Sequence, residues 1–263
     1  MSAFSGTAQY YDLYRPSVPV ELVERIVASV QGSGAAAHLL DLGTGTGKVL
    51  ERFLPHFTDI IAVEPDTEMM ALAKRRLVPH MAADTSIHFV TGSAEDIELP
   101  EEWHASLVTI CRAFHWMERE KVIQKLDRIV TPGGTVAIFG DSSIWNLQDS
   151  WCVIVKGIVQ EILGQERRSG EGIFVPPKEP YADLLKASPF SQVEEFDVPI
   201  ERTWTIDQII GYLYSSSFAA KSLFGDYVDQ FESAVRQRLE PLADEGGTFK
   251  ETNSFNVVLA KRP

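Results

Sequence analysis

Asp41 and Glu64, set on either side of a glycine-rich turn, are the residues whose types and spacing point most directly to ligand chemistry. Asp41 lies in the apolar run Leu39-Leu40-Asp41-Leu42, and Gly43, Gly45 and Gly47 follow at alternate positions before Lys48. Glycine at such positions lets the backbone touch a ligand and adopt positive φ angles. Glu64 ends a second apolar run, Ile60-Ile61-Ala62-Val63, where an acid accepts hydrogen bonds from ribose hydroxyls. Dinucleotide sites use the spacing G-x-G-x-x-G. Here the third glycine comes one place early, and Lys48 stands where that pattern has glycine or alanine. Asp41 would also repel a pyrophosphate while suiting a cation. The two acids together favour a ribose-bearing, positively charged cofactor.

The same order of features continues through Gly92-Ser93-Ala94-Glu95-Asp96, Phe114-His115-Trp116 and Thr131-Pro132-Gly133-Gly134. Over residues 38 to 140 the chain thereby resembles the class I S-adenosylmethionine (SAM) dependent methyltransferases of the small-molecule type. The resemblance implies SAM as cofactor, bound by Arg15, Asp41, Gly43, Gly45, Gly47, Glu64, Pro65, Ser93, Ala94, Glu95 and Cys111. Glu95 and Asp96 are alternative partners for the adenine amino group. Arg15 follows three tyrosines in Tyr10-Tyr11-Asp12-Leu13-Tyr14-Arg15, and as a bidentate carboxylate partner it suits the carboxylate of the cofactor. The implied fold is α/β and Rossmann-like. It is a seven-stranded, mostly parallel sheet with helices on both faces, an antiparallel last strand and an inserted helical lid.

His115 carries the candidate chemistry. It comes just after the apolar run Ser106 to Cys111, and in open α/β sheets ligands lie beyond the carboxyl ends of the strands. An imidazole, with an ordinary pKa near neutrality, suits a general base that removes the proton of an acceptor; a packed, hydrogen-bonded histidine is the alternative. Tyr14, His115, Trp116 and Trp145 are the candidate acceptor-binding residues.

Several further elements must position these groups. Leu22, Val23, Ile26, Val27 and Val30 recur at helical spacing, as do Val122, Leu126, Ile129 and Val130 in a helix over 118–130. Runs at 87–90, 106–111, 135–139, 193–200 and 255–259 predict strands, and Thr205-Ile206-Asp207-Gln208 is a capping-box signature. Residues 141–191 exceed an ordinary connection. The expected organisation is 1–140 as N-terminal cap and cofactor core, 141–191 as an inserted lid that binds the acceptor, and 192–263 as the rest of the core.

Composition bounds the partners. The 263 residues carry 24 bases and 37 acids, a formal net charge of −13, with 44% hydrophobic content. A field of that sign disfavours nucleic acid and anionic membranes and suits cationic small molecules. Two cysteines suggest neither a disulfide framework nor a metal site. The expectation is a cytoplasmic monomer or homodimer with a small-molecule acceptor, no nucleic acid, no membrane and no metal. The lid mixes Trp145, Trp151 and Phe174 with Asp141, Asp149, Glu161, Glu166, Glu171 and Glu179. With the net charge, it leans the expected acceptor toward an amine of an aminosugar-like natural product. A small carboxylic acid or phenol is the alternative, which would turn lid bases such as Arg167 and Arg168 inward. A non-catalytic SAM-binding regulator is the third reading.

Overall fold

The computed structural model describes residues 4, 6–30, 38–170, 172–176 and 179–263; Glu171 of the lid lies outside them. In chain order the elements are α1 (Ala8–Tyr14), α2 (Val20–Ala28), β1 (His38–Leu42), α3 (Leu50–Phe53), β2 (Asp59–Glu64), α4 (Thr67–Leu77), β3 (Ser86–Thr91) and β4 (Ala105–Cys111). Then come α5 (Arg119–Ile129), β5 (Val130–Asp141), α6 (Ser150–Leu163), the short strands β6 (Arg168–Ser169) and β7 (Gly172–Ile173), and α7 (Tyr181–Lys186). The chain closes with β8 (Gln192–Trp204), α8 (Ile206–Tyr214), α9 (Lys221–Phe224), α10 (Val228–Leu239) and β9 (Phe249–Lys261). Contacts divide it into two compact units. One, the sheet unit, holds 17–140, 176–198 and 256–263; the other, the helical unit, holds 1–16, 141–175 and 199–255.

The seven-stranded sheet runs in the order β3-β2-β1-β4-β5-β9-β8, mostly parallel with the last strands antiparallel. β1 pairs in parallel with β2 on one side and β4 on the other, and β4 with β5. Every residue of β4 is buried, as a central parallel strand covered on both faces requires, whereas β3 at the edge alternates in exposure. Leu40, Val63, Val108 and Ile138 meet Val122, Leu126 and Ile129 of α5 in one core. α2 buries Leu22, Val23, Ile26 and Val27, the face its spacing predicts.

Glycine sets two local features. The helix after the glycine turn begins only at Leu50, because Gly47 sits at φ +81°, a left-handed conformation that a right-handed helix cannot continue through. The Pro132-Gly133-Gly134 turn is not a simple link into a strand at 135 but an interruption inside β5. Val130 pairs with Ala105 and Thr135 with Leu107, so the register jumps between them. Gly133 takes φ +74° there, and a Cβ on Gly134 would fall 2.6 Å from Val130 Cγ1.

The helical unit has its own core, in which Trp151, Val155 and Ile158 of α6 cluster with Ile209 and Leu213 of α8 and Phe231 and Val235 of α10. The capping box forms as its signature predicts, with Thr205 and Gln208 satisfying each other's backbone amides. α1 lies against α8 at a glycine, since a Cβ on Gly211 would sit 2.4 Å from the Tyr14 ring. Beneath, Arg202 donates to Asp141 Oδ2 at 2.6 Å and Glu251 Oε1 at 3.2 Å. Glu251 also accepts from Trp204 Nε1 at 2.6 Å and Asn253 Nδ2 at 2.7 Å, so both oxygens of this buried acid are hydrogen-bonded.

Candidate active site

Asp41 occupies the position its sequence context suggests, inside the buried end of β1. Across the parallel pairing its register partner is Thr109 of β4, whose Oγ1 donates to Asp41 Oδ1 at 2.6 Å. The other oxygen, Oδ2, is buried without a hydrogen-bond partner. Burial pushes the Asp41 carboxyl up to about 6, and hydrogen bonds from Thr109 and Thr44 offset part of that rise. A carboxylate held this way is incomplete until a donor or a positive charge reaches Oδ2.

The glycine turn folds over the end of β2. The amides of Gly43 and Thr44 both donate to Val63 O, at 2.9 and 3.0 Å, and Gly45 N donates to Glu64 Oε2 at 2.9 Å. Glu64 Oε1 accepts from Asp66 N at 2.9 Å. Burial raises the Glu64 pKa, and the two backbone amides oppose that shift. Each oxygen accepts one amide and keeps a lone pair for a further donor. Gly43, Gly45 and Gly47 have φ of +75°, +58° and +81°. A Cβ on Gly43 would lie 2.5 Å from the Cβ of Ala113, so the loop after β4 packs directly on the turn.

That loop carries the candidate chemistry. Arg112 follows Cys111 with φ +54°, a left-handed conformation rare outside glycine and a mark of stored strain. Its amide donates to Phe139 O at 2.9 Å, and Gly140 leaves room for its stem, since a Cβ there would come 3.3 Å from Arg112 Cγ. His115 is half-buried, and its ring lies 4.7 Å from that of Trp116, which is 36% exposed. Ala94 and Cys111 are buried, Pro65 is exposed, and Ser93 Oγ donates to Asp96 Oδ2 at 2.8 Å. Glu95 Oε1 accepts from Glu118 N at 2.6 Å, which ties its loop to the start of α5. Asp66 caps α4 through the amides of Glu68 and Met69.

The sheet unit thus brings together Asp41, the three glycines, Glu64 and the 112–117 loop. Arg15, Tyr14 and Trp145 belong to the helical unit. There the Tyr14 ring stacks on Tyr10, and Trp145 is buried edge-on to Phe218 at 5.2 Å between centroids. Arg15 donates to Ser215 Oγ at 2.9 Å and to the Tyr212 hydroxyl at 3.0 Å. Sequence reasoning did not single out Thr109, Arg112 or Tyr212. Thr109 pairs with Asp41 across 68 residues, a spacing with no local signal, and nothing in residue type announces the left-handed backbone at Arg112.

Strand order, glycine turn and acid-tipped second strand define the class I SAM-dependent methyltransferase fold. Residues 40–138 match a family described as a methyltransferase domain. Over 221 residues the chain is 28% identical to an uncharacterized methyltransferase of Mycobacterium tuberculosis H37Rv, covering 84% of this chain and 79% of that protein. It is 30% identical over 155 residues to the malonyl-[acyl-carrier protein] O-methyltransferase of a Marinomonas species, covering 56% of this chain and 54% of that one. Among solved structures, a Haemonchus contortus phosphoethanolamine N-methyltransferase superposes with a TM-score of 0.54 at 15% identity. That alignment covers 98% of this chain and 57% of the other, a likeness of fold. The matched segment and these relatives support a SAM-dependent methyltransferase on a class I fold, with SAM as its cofactor.

The residues present fit that cofactor. Asp41 Oδ2 lacks the donor or cation a charged ligand brings, Glu64 has lone pairs for ribose hydroxyls, and all three glycines hold the turn at positive φ. No helix among the described residues is long and apolar enough to cross a membrane, and no group of three His, Cys, Asp or Glu among them is arranged to hold a metal.

Proposed function

We propose that this enzyme methylates an oxygen or nitrogen atom of a small molecule, with an acid or phenol favoured over an amine. When bound, SAM supplies an electrophilic methyl group on a positively charged sulfur, and transfer leaves a neutral thioether. Asp41, Gly43, Gly45 and Gly47 hold the cofactor with Glu64, while Pro65, Ser93, Ala94, Glu95 and Cys111 border the same strand ends. The main contribution of the protein is alignment of the acceptor lone pair with the methyl group.

The observation that carries the preference is where four of the six lid acids go. Asp141 is taken by Arg202 and Glu161 by Arg238, which donates to both Glu161 oxygens at 2.7 and 2.6 Å. Glu166 and Glu179 are exposed. Carboxylates that already pair within the fold, or stand in water, make a weak binding wall for an ammonium. The relative from Marinomonas bears the name of an O-methyltransferase, which is consistent with this preference.

The atom methylated decides what His115 does. A phenol or amine must shed a proton, which His115 takes as general base; a carboxylate has none to give and needs no base. The test is transfer of labelled methyl from SAM into two pools, one of aminosugars and polyamines, the other of carboxylic acids and phenols. Label is expected in the second pool, and label confined to the first overturns the preference. S-adenosylhomocysteine binding with no label in either pool supports the non-catalytic reading. Given an active acceptor, His115→Gln separates the roles: loss of kcat by roughly a hundredfold or more, with loss of the acidic limb of the pH profile, marks a base.

A further inference from the structure

The carboxylate of Asp41 stands in a row of side chains that crosses four strands of the sheet unit. In register beside it are Ala62 of β2 on one side and Thr109 of β4 on the other, with Ala137 of β5 beyond Thr109. Register partners in adjacent strands project to the same face of the sheet, so these four lie side by side. All are buried, Asp41 at 2% exposure and the other three at 0%. Alanine brings neither donor nor acceptor, so along this row the Thr109 hydroxyl is the polar group that Asp41 meets.

That hydroxyl donates to Asp41 Oδ1 at 2.6 Å, the length of a charge-assisted O–H···O bond. A β-branched side chain is stiff at χ1, so the backbone of β4 fixes where the proton points. The hydroxyl has one proton and gives it to Oδ1, while Oδ2 is left buried with no hydrogen-bond partner. Thr44, from the glycine turn, donates to Asp41 O at 3.2 Å, and of the two threonines Thr109 offsets more of the rise that burial imposes on the carboxyl. Glu64, at the tip of β2, is the acid whose pKa the Asp41 charge raises. The missing partner of Oδ2 is a proton donor. The sulfonium of SAM has a charge but no proton to donate, whereas the ammonium of its amino-acid end has both.

We propose that Thr109 is a positioning residue for cofactor binding, which by holding Oδ1 presents the ionised carboxylate of Asp41, through Oδ2, to the ammonium of SAM. The proposal rests on the reading of Asp41 and Glu64 as cofactor residues and adds the group that sets Asp41 for that task. Thr109 acts through Asp41 and not on the ligand. A donor to a carboxylate favours the ionised form over the acid, so removal of the hydroxyl raises the Asp41 pKa further and delays cofactor binding to higher pH.

The test is calorimetric binding of two ligands between pH 5 and pH 8 to the wild type, Thr109→Val and Thr109→Ser. S-adenosylhomocysteine carries the ammonium; 5′-methylthioadenosine has the same nucleoside and thioether without it. In the wild type, S-adenosylhomocysteine affinity should rise with pH and level off above about 6. Thr109→Val should bind S-adenosylhomocysteine at least about tenfold more weakly at pH 7, with the rise displaced to higher pH. Its affinity for 5′-methylthioadenosine should stay within about twofold of the wild type, because no bond to Asp41 is at stake. Comparison at each pH removes what Glu64 contributes, since every variant keeps it. Thr109→Ser retains the donor and should restore both affinity and pH profile. Equal losses for the two ligands would show general damage to the turn and overturn the proposal. Unchanged S-adenosylhomocysteine binding in Thr109→Val, a flat wild-type profile, or no rescue by Thr109→Ser overturns it as well. Failure of the wild type to bind S-adenosylhomocysteine at any pH sinks the underlying cofactor reading instead. Should Thr109→Val fail to fold by circular dichroism, Thr109→Cys keeps the size and weakens the donor, and a several-fold loss confined to S-adenosylhomocysteine is expected.

Discussion

Asp41 is held at a cost that its ligand is positioned to relieve. Its carboxyl titrates near 6 in the fold against 3.8 when unperturbed, so the native state holds the proton more tightly than the unfolded chain does. Below the unfolded value the penalty is absent; it grows as pH rises and is complete above about 6, at roughly 3 kcal/mol. Asp41→Asn keeps an oxygen for Thr109 and removes the buried charge. The variant is expected to melt above the wild type at pH 7.5, and by a much smaller margin at pH 4.5, in ligand-free thermal scans. The same change should weaken S-adenosylhomocysteine binding at least tenfold by calorimetry, because a charge-assisted partner is lost. Gly43 makes a steric demand instead. Gly43→Ala puts a Cβ 2.5 Å from that of Ala113 at φ +75°, and Ala113 cannot move its Cβ without moving its backbone. A loss of about 2 kcal/mol or more in urea unfolding is expected, with cofactor affinity lost in parallel.

Among the elements, the ends of β5, β8 and β9 that belong to the helical unit are joined by charge. Arg202 is 15% exposed at its side chain, between Asp141 at 8% and Glu251 at 2%. Arg202→Met leaves two buried carboxylates facing one another, and a loss of about 3–5 kcal/mol is expected in denaturant unfolding at pH 7. Adding Glu251→Gln to that variant should restore part of the loss, whereas additive damage would show that Arg202 acts by packing alone. Much at this scale was legible in advance. The 3.6-residue spacing of α2 and α5 and the capping box of α8 are local patterns that hold wherever the helix docks. The interruption in β5 was less legible, because a register jump opposite Ala105 depends on the partner strand and not on Pro132-Gly133-Gly134 alone.

For the whole molecule, ligand linkage is the decisive measurement. S-adenosylhomocysteine at about a hundred times its dissociation constant should add about 2.7 kcal/mol to stability, which for a chain of this size raises Tm by roughly 5–10 °C. No shift in differential scanning fluorimetry would contradict the site built from Asp41 and Glu64. The net charge of −13 describes the solvated surface better than it describes a binding wall, since Asp141 and Glu161 are both engaged by arginine. On that ground the acceptor proposed above is an acid or phenol, while the amine remains the outcome that would overturn it.

By itself the sequence determined the cofactor chemistry. Asp41, three alternating glycines and Glu64 lie within a span of 24 residues, and their backbone and charge requirements are local, so their order alone weighed against a dinucleotide. The central parallel strands were legible for the same reason, as short apolar runs at regular intervals. Only the tertiary structure decided that Thr109 steadies Asp41, that Arg112 is held left-handed, and that Arg15 lies on Tyr212. Those pairings span 68 residues between Asp41 and Thr109 and 197 between Arg15 and Tyr212. Contacts at such separations are set by which strands pair and which helices dock, and residue spacing carries no record of either.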